Sequence, residues 1–128
     1  MYFQIEFEKE LQKDEIVIID KTSIALRDKI LLTNKRLIIF KPKGFLSSTF
    51  VKRYELPLSE IIEAHTDFIR RSQANLMMIL TLKNGEQQEI LFDPGTRIEI
   101  LGTTGEIASR MNAITEKWVN AINRAIGK

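Results

Sequence analysis

Up to Leu101 the chain is written in short runs of alternating apolar and polar residues, broken by turn residues. A period of two predicts strands with one face turned inward. Residues 2–14 fit either element: Tyr2, Phe3, Ile5 and Phe7 partly alternate, while Glu6 to Glu15 has a helix-forming composition. Ile16, Val17, Ile18 and Ile19 then form a β-branched run, and Ser23 to Leu26 continues beyond a polar break, so strands with a turn or bulge between them are expected. Asn34–Lys35 can serve as a two-residue hairpin loop, since Asn tolerates positive φ. In that register Thr33 faces Arg36, Leu32 faces Leu37, Leu31 faces Ile38 and Ile30 faces Ile39. Apolar partners meet rung after rung, and both faces are apolar, which predicts a central hairpin covered on each side.

Pro42 and Gly44 end that hairpin. Val51 to Leu58 is read as a strand with Lys52, Tyr54, Leu56 and Leu58 inward, and Ser59 as the cap of a single helical turn, Ser59-Glu60-Ile61. The chain extends again through Ile62, Ala64, Thr66 and Phe68. Leu76, Met78, Leu80 and Leu82 share a strand face, and Asn84–Gly85 predicts a type I′ hairpin that sets Lys83 opposite Glu86 as an exposed ion pair. Gln88, Ile90 and Phe92 line the return strand. Asp93–Pro94–Gly95 turns the chain, and Arg97 to Leu101 reads as a short seventh or eighth strand.

The period then changes. Thr103 and Glu106 form a capping-box pattern, Gly127 suits a C-terminal stop, and Ile107, Met111, Ile114, Trp118, Ile122 and Ala125 recur every three or four residues. Ser109, Asn112, Glu116, Asn120 and Asn123 fall on the opposite face, which is expected to meet solvent. A mainly β, half-open antiparallel barrel plugged at one end by a helix over about residues 104–126 would bury both sets of apolar faces. At 128 residues the chain is expected to form one domain, residues 1–128.

Composition narrows the chemistry. Cysteine is absent, which excludes disulfides and thiolate metal sites and fits a reducing, cytoplasmic setting. The N-terminus has no apolar signal core and no run is long enough to span a bilayer. Net charge is only +2 but is unevenly spread. Lys29, Lys35, Arg36, Lys41, Lys43, Lys52 and Arg53 stand in one stretch without an acid, flanked by segments of net negative charge. Such a local excess can steer anionic partners; solvated lysines on strand edges are the plainer alternative.

Leu32-Thr33-Asn34-Lys35-Arg36-Leu37-Ile38-Ile39-Phe40 resembles a signature of the pleckstrin-homology superfamily, in particular of GRAM-like and bacterial PH-like domains. Leu56-Pro57-Leu58-Ser59-Glu60-Ile61 resembles a second segment of that family, and a C-terminal helix bearing Trp118 is a third likeness. Together they cover roughly residues 15–126. The resemblance implies a seven-stranded half-open barrel capped by the helix, without enzymatic activity, binding acidic lipids or proteins or self-associating. The basic motif that lipid-binding members carry between their first two strands has no match in Ile16 to Ile30, so phosphoinositide specificity is not implied.

The candidate site is the segment Lys41 to Arg53. Lys41, Lys43, Lys52 and Arg53 could meet phosphates while Phe45 and Leu46 enter the headgroup boundary at the inner membrane surface, with Arg70 and Arg71 adding to that face if their turn lies beside it. The competing readings fold Phe45 or Phe50 back onto the barrel, or bury the tip against another subunit or protein partner. No catalytic site, metal site or cofactor is expected: His65 is the only histidine and stands on a strand, and Gly102-Thr103-Thr104-Gly105-Glu106 lacks the lysine of a P-loop. No small-molecule substrate is expected. Nucleic acid is not expected either, because stacking aromatics are not interleaved with the bases.

Overall fold

In a computed structural model, residues 11–44, 49–67, 77–92 and 104–128 are described, with helix side chains from Ala113 onward. Seven strands lie among them: β1 (Val17–Ser23), β2 (Lys29–Thr33), β3 (Arg36–Pro42), β4 (Phe50–Pro57), β5 (Ile61–Asp67), β6 (Met77–Leu82) and β7 (Gln87–Leu91). They form two antiparallel sheets, β1-β2-β3-β4 and β5-β6-β7, followed by a helix, α1 (Thr104–Ala125). The sheets meet at the corner Leu58–Glu60 and, among the described residues, at one bridge from Ile24 to Phe92, so the barrel stays open. The proposed strand at Arg97–Leu101 lies outside the described residues.

The central hairpin has the register that its apolar rungs predict: Ile30 opposite Ile39, Leu31 opposite Ile38, Leu32 opposite Leu37. Alternation sends Ile30, Leu32, Leu37 and Ile39 into the main core, where they meet Leu56, Met78, Leu80, Phe92, Trp118 and Ile122. It sends Leu31, Ile38 and Phe40 into a second cluster covered by Leu11, Val17 and Phe50. Leu11, which precedes β1, thus joins Val17 of β1 and Phe50 of β4 over the outer face of the first sheet. Fully burying each of the hairpin's apolar side chains contributes on the order of 1.5–3 kcal/mol.

Several local expectations are corrected. Neither Asn34 nor Lys35 takes positive φ. Instead the Thr33 hydroxyl closes the turn, accepting the amides of Lys35 and Arg36 at 3.1 Å each. Asn34 is used across the sheet edge: its amide donates to the Ile16 carbonyl at 2.9 Å and its Oδ1 accepts the Ile16 amide at 2.7 Å.

In the second hairpin only Gly85 has positive φ, +91°. The Gly85 amide donates to the Leu82 carbonyl and the Leu82 amide to the Glu86 carbonyl, which is a three-residue loop ending in a left-handed glycine, not a type I′ turn. Lys83 and Glu86 are therefore out of register, and the Glu86 carboxylate is bound by Asn84 Nδ2 at 3.0 Å. The turn at Leu58–Glu60 is entered from Pro57 without a side-chain cap, so Ser59 does not cap it.

In β4 a bulge separates the pairs Ile39–Tyr54 and Phe40–Lys52, leaving Arg53 as the extra residue. It reverses the alternation. Tyr54, Leu56 and Leu58 stay on the core side, while Lys52 leaves the inward set and is exposed.

Along α1, Trp118 and Ile122 are buried, Ile114 packs beside them, and Phe92 lies 5.8 Å from Trp118 between ring centroids. Thr115 and Val119 also turn inward, whereas Ala125 is exposed. Asn123 is not a solvent-face residue: its side-chain amide bonds the backbone of Ala64 on β5.

Candidate functional site

The basic stretch lies on β2, β3 and β4, and the fold gives most of its charges a fixed partner. Arg36, at the start of β3, sits beneath the segment that precedes β1. Its Nε and Nη2 donate to Glu15 Oε2 and Oε1 at 2.9 and 3.0 Å, and its Nη1 donates to Glu55 Oε2 at 3.0 Å. The Thr33 hydroxyl donates to Glu15 at 2.6 Å, and the Gln12 amide adds a bond at 2.8 Å. Side-chain exposure is 0% for Glu15 and 6% for Arg36, so this bidentate pair is screened from water.

Burial works against the charge on Glu15, but the bonds from Arg36, Thr33 and the Gln12 amide outweigh it and hold the carboxyl down at about 2. The bond to Glu15 likewise raises Arg36 above its ordinary value. Glu55 is held below the usual carboxylate range, first by Lys52, whose Nζ donates to Oε1 at 2.6 Å, and then by Arg36.

The remaining bases divide sharply. Arg53, projected by the bulge, places Nε and Nη2 2.9 Å from Oδ2 of Asp28, a carboxylate only 6% exposed. Lys29 donates to the Ser23 hydroxyl at 2.7 Å and lies 6.0 Å from the centre of the Phe50 ring. Lys35 donates to the Lys13 carbonyl at 3.1 Å. Lys41 and Lys43 are exposed and, among the described residues, have no side-chain partner.

Lys41 stands opposite Val51, and the Lys43 amide donates to the Thr49 carbonyl at 2.7 Å, closing the neck of the loop that carries Phe45 and Leu46. Of the predicted site residues, Lys41 and Lys43 thus stand exposed at the loop end of β3, whereas Lys52, opposite Phe40 on β4, and Arg53, the bulge residue, are held in ion pairs. Phe45, Leu46, Arg70 and Arg71 lie outside the described residues.

Sequence reasoning missed the acids that balance the stretch: Asp28 and Glu15 before it, Glu55 just after it. Counting charges by segment cannot find them, because strand pairing sets their neighbours. His65 stands on β5 opposite Ile79, and among the described residues no group of three or more His, Cys, Asp or Glu side chains is placed to hold a metal ion. No described helix is long and apolar enough to cross a membrane.

No protein-family model matches the chain, and no curated protein matches it in sequence. Solved structures do match in fold. A pleckstrin homology domain from Shewanella amazonensis SB2B is 18% identical with a TM-score of 0.52, over 84% of this chain and 83% of that one. The activated truncation of Vav1, in its apo form, is 19% identical with a TM-score of 0.51, over 89% of this chain and 26% of that one. This chain thus spans about a quarter of the Vav1 chain's length. At such identities the likeness is one of architecture, and the chain has the pleckstrin-homology-like fold.

Proposed function

We propose that the chain is a non-enzymatic binding module that makes peripheral contact with an anionic membrane surface through the loop end of β3 and β4. The observation that carries this reading is the pair Lys41 and Lys43, exposed and unpartnered among the described residues at the neck of a loop whose sequence contains Phe45 and Leu46. Each base near an acidic bilayer contributes on the order of 1 kcal/mol. Two bases alone bind weakly, and a loop tip entering the interface is the second signal that such binding needs.

Co-sedimentation with phosphatidylcholine vesicles, with and without phosphatidylserine, tests the reading. The protein is expected to pellet only with phosphatidylserine at low salt, and no longer when Lys41 and Lys43 are changed to Glu. Absence of lipid-dependent pelleting at low salt would overturn it.

Protein contact, with another chain or with a second copy, is a second reading favoured by a separate observation. Ile16 and Ile18, beside each other at the edge of the first sheet, are 65% and 45% exposed.

A further inference from the structure

β1 is an edge strand, and α1 passes beside it. Between them lies an open cleft of about 300 Å³ lined by Ile18, Ile19, Lys117, Asn120, Ala121 and Arg124. The floor is apolar, with Ile19 rooted in the core and Ile18 left exposed. The helical wall is basic. Lys117, Ala121 and Arg124 follow at intervals of four and three, so they share a helix face. At 1.5 Å per residue the two bases stand roughly 10 Å apart along the axis, with only a methyl group between them.

Among the described residues no acid lines the cleft, and neither base has a side-chain partner. This is the reverse of the β2–β4 face, where Glu15, Asp28 and Glu55 answer the bases.

We infer that this cleft docks an acidic peptide segment of a partner protein, one large apolar side chain resting on Ile18 and Ala121 and a carboxylate on either side reaching Lys117 and Arg124. An extended chain advances about 3.3 Å per residue, so carboxylates three or four residues apart match the interval between the bases. Asn120 offers both a donor and an acceptor to the backbone of such a segment.

Recognition runs through side chains, not through strand addition. β1 is interrupted by register shifts between Val17 and Ile19 and between Ile19 and Thr22, and the Lys21 amide is already bound by Asp20 Oδ1 at 2.7 Å. Those features blunt a sheet edge. The inference rests on the protein-contact reading and is independent of Lys41 and Lys43.

The test is an amide chemical-shift titration of the whole chain with a panel of peptides of the form Glu-Ser-X-Ser-Glu and its one-residue-shorter variant, X being Leu, Ile, Phe or Trp. At least one peptide is expected to give saturating shifts centred on Ile18, Asn120 and Ala121. Affinity is expected to fall about tenfold or more in a Lys117→Glu/Arg124→Glu variant, and again when X is Ser. Changing Lys41 and Lys43 to Glu leaves it unaltered and disturbs only vesicle binding, so the two sites fail separately.

Ile18→Ser, which removes the apolar contact, is expected to weaken binding as well; Ile18, Lys117 and Arg124 are all solvent-facing, and thermal melts are the check that the variants fold. Should Ile18→Ser unfold the chain, the charge variant and the peptide series still decide. No saturable binding across the panel overturns the inference, as does binding indifferent to Lys117 and Arg124. Dimerisation or vesicle binding that depends on these residues, without peptide binding, assigns the cleft to a second copy or a membrane and overturns it equally.

Discussion

The side chain of Asn123 pairs with the backbone of Ala64 as a neighbouring strand would: Oδ1 accepts the Ala64 amide and Nδ2 donates to the Ala64 carbonyl, each at 2.9 Å. Both backbone groups point away from β6, so the helix satisfies a sheet edge that would otherwise stand open at this point. Asn123→Ala leaves a donor and an acceptor bare beside a residue only 2% exposed, and is expected to cost about 1–3 kcal/mol. The lowered urea midpoint, with unchanged slope, is the check. Asn123→Asp keeps the acceptor but loses the donor, and is expected to be destabilised as well.

Acid sensitivity follows from Glu15. Its carboxyl is lowered from 4.5 to about 2 in the folded chain, so the stabilisation is complete above the unfolded value and drains away as pH falls through the folded one. A shift of that size corresponds to about 3 kcal/mol lost between roughly pH 5 and pH 2. Urea midpoints measured across that window are expected to fall steeply in the parent chain and much less in Glu15→Gln. The variant itself is destabilised at neutral pH, because Arg36 keeps its burial and loses its bidentate partner.

What could be read in advance, and what could not, follows the range of the interactions. The hairpin register was legible because three successive apolar pairs, Ile30–Ile39, Leu31–Ile38 and Leu32–Leu37, agree on it, and the helix because Trp118 and Ile122 repeat a face. The bulge at Arg53 was not, since Lys52, Tyr54, Leu56 and Leu58 read as unbroken alternation; the finer, GRAM-like likeness rests on motif residues alone. Asn123 was assigned to solvent by its place on the helical wheel, and its bond to Ala64 depends on how the helix docks. For the candidate site, the position of Lys41 and Lys43 at the end of a strand was legible. The neutralisation of Arg36 and Arg53 was not, because Glu15 lies 21 residues from Arg36 and Asp28 lies 25 from Arg53.

That neutralisation separates bases that look equivalent in sequence. Lys52→Ala removes an exposed pair and is expected to shift stability by less than about 1 kcal/mol. Arg53→Ala strands the covered carboxylate of Asp28 and is expected to cost about 1–3 kcal/mol. Charge reversal at Arg53 would therefore disturb the fold as well as any surface contact, and thermal denaturation of the two variants side by side checks the contrast.

The left-handed Gly85 supplies a backbone test. A Cβ there meets nothing within 4 Å, so Gly85→Ala reports conformational strain alone. It is expected to destabilise the chain by about 1 kcal/mol, read as a drop in melting temperature.

Apart from the corner at Leu58–Glu60, one bridge, Ile24 to Phe92, is the backbone seam between the two sheets among the described residues. The domain is in that sense two shells around a shared filling and not a continuous tube. Each shell can open on its own without tearing a long ladder, so native-state hydrogen exchange is expected to resolve the amides of β1–β4 and those of β5–β7 as separate cooperative groups. Thinning the filling itself, as in Trp118→Ala, is expected to merge them, since Trp118 belongs to neither sheet and packs in the core that both share.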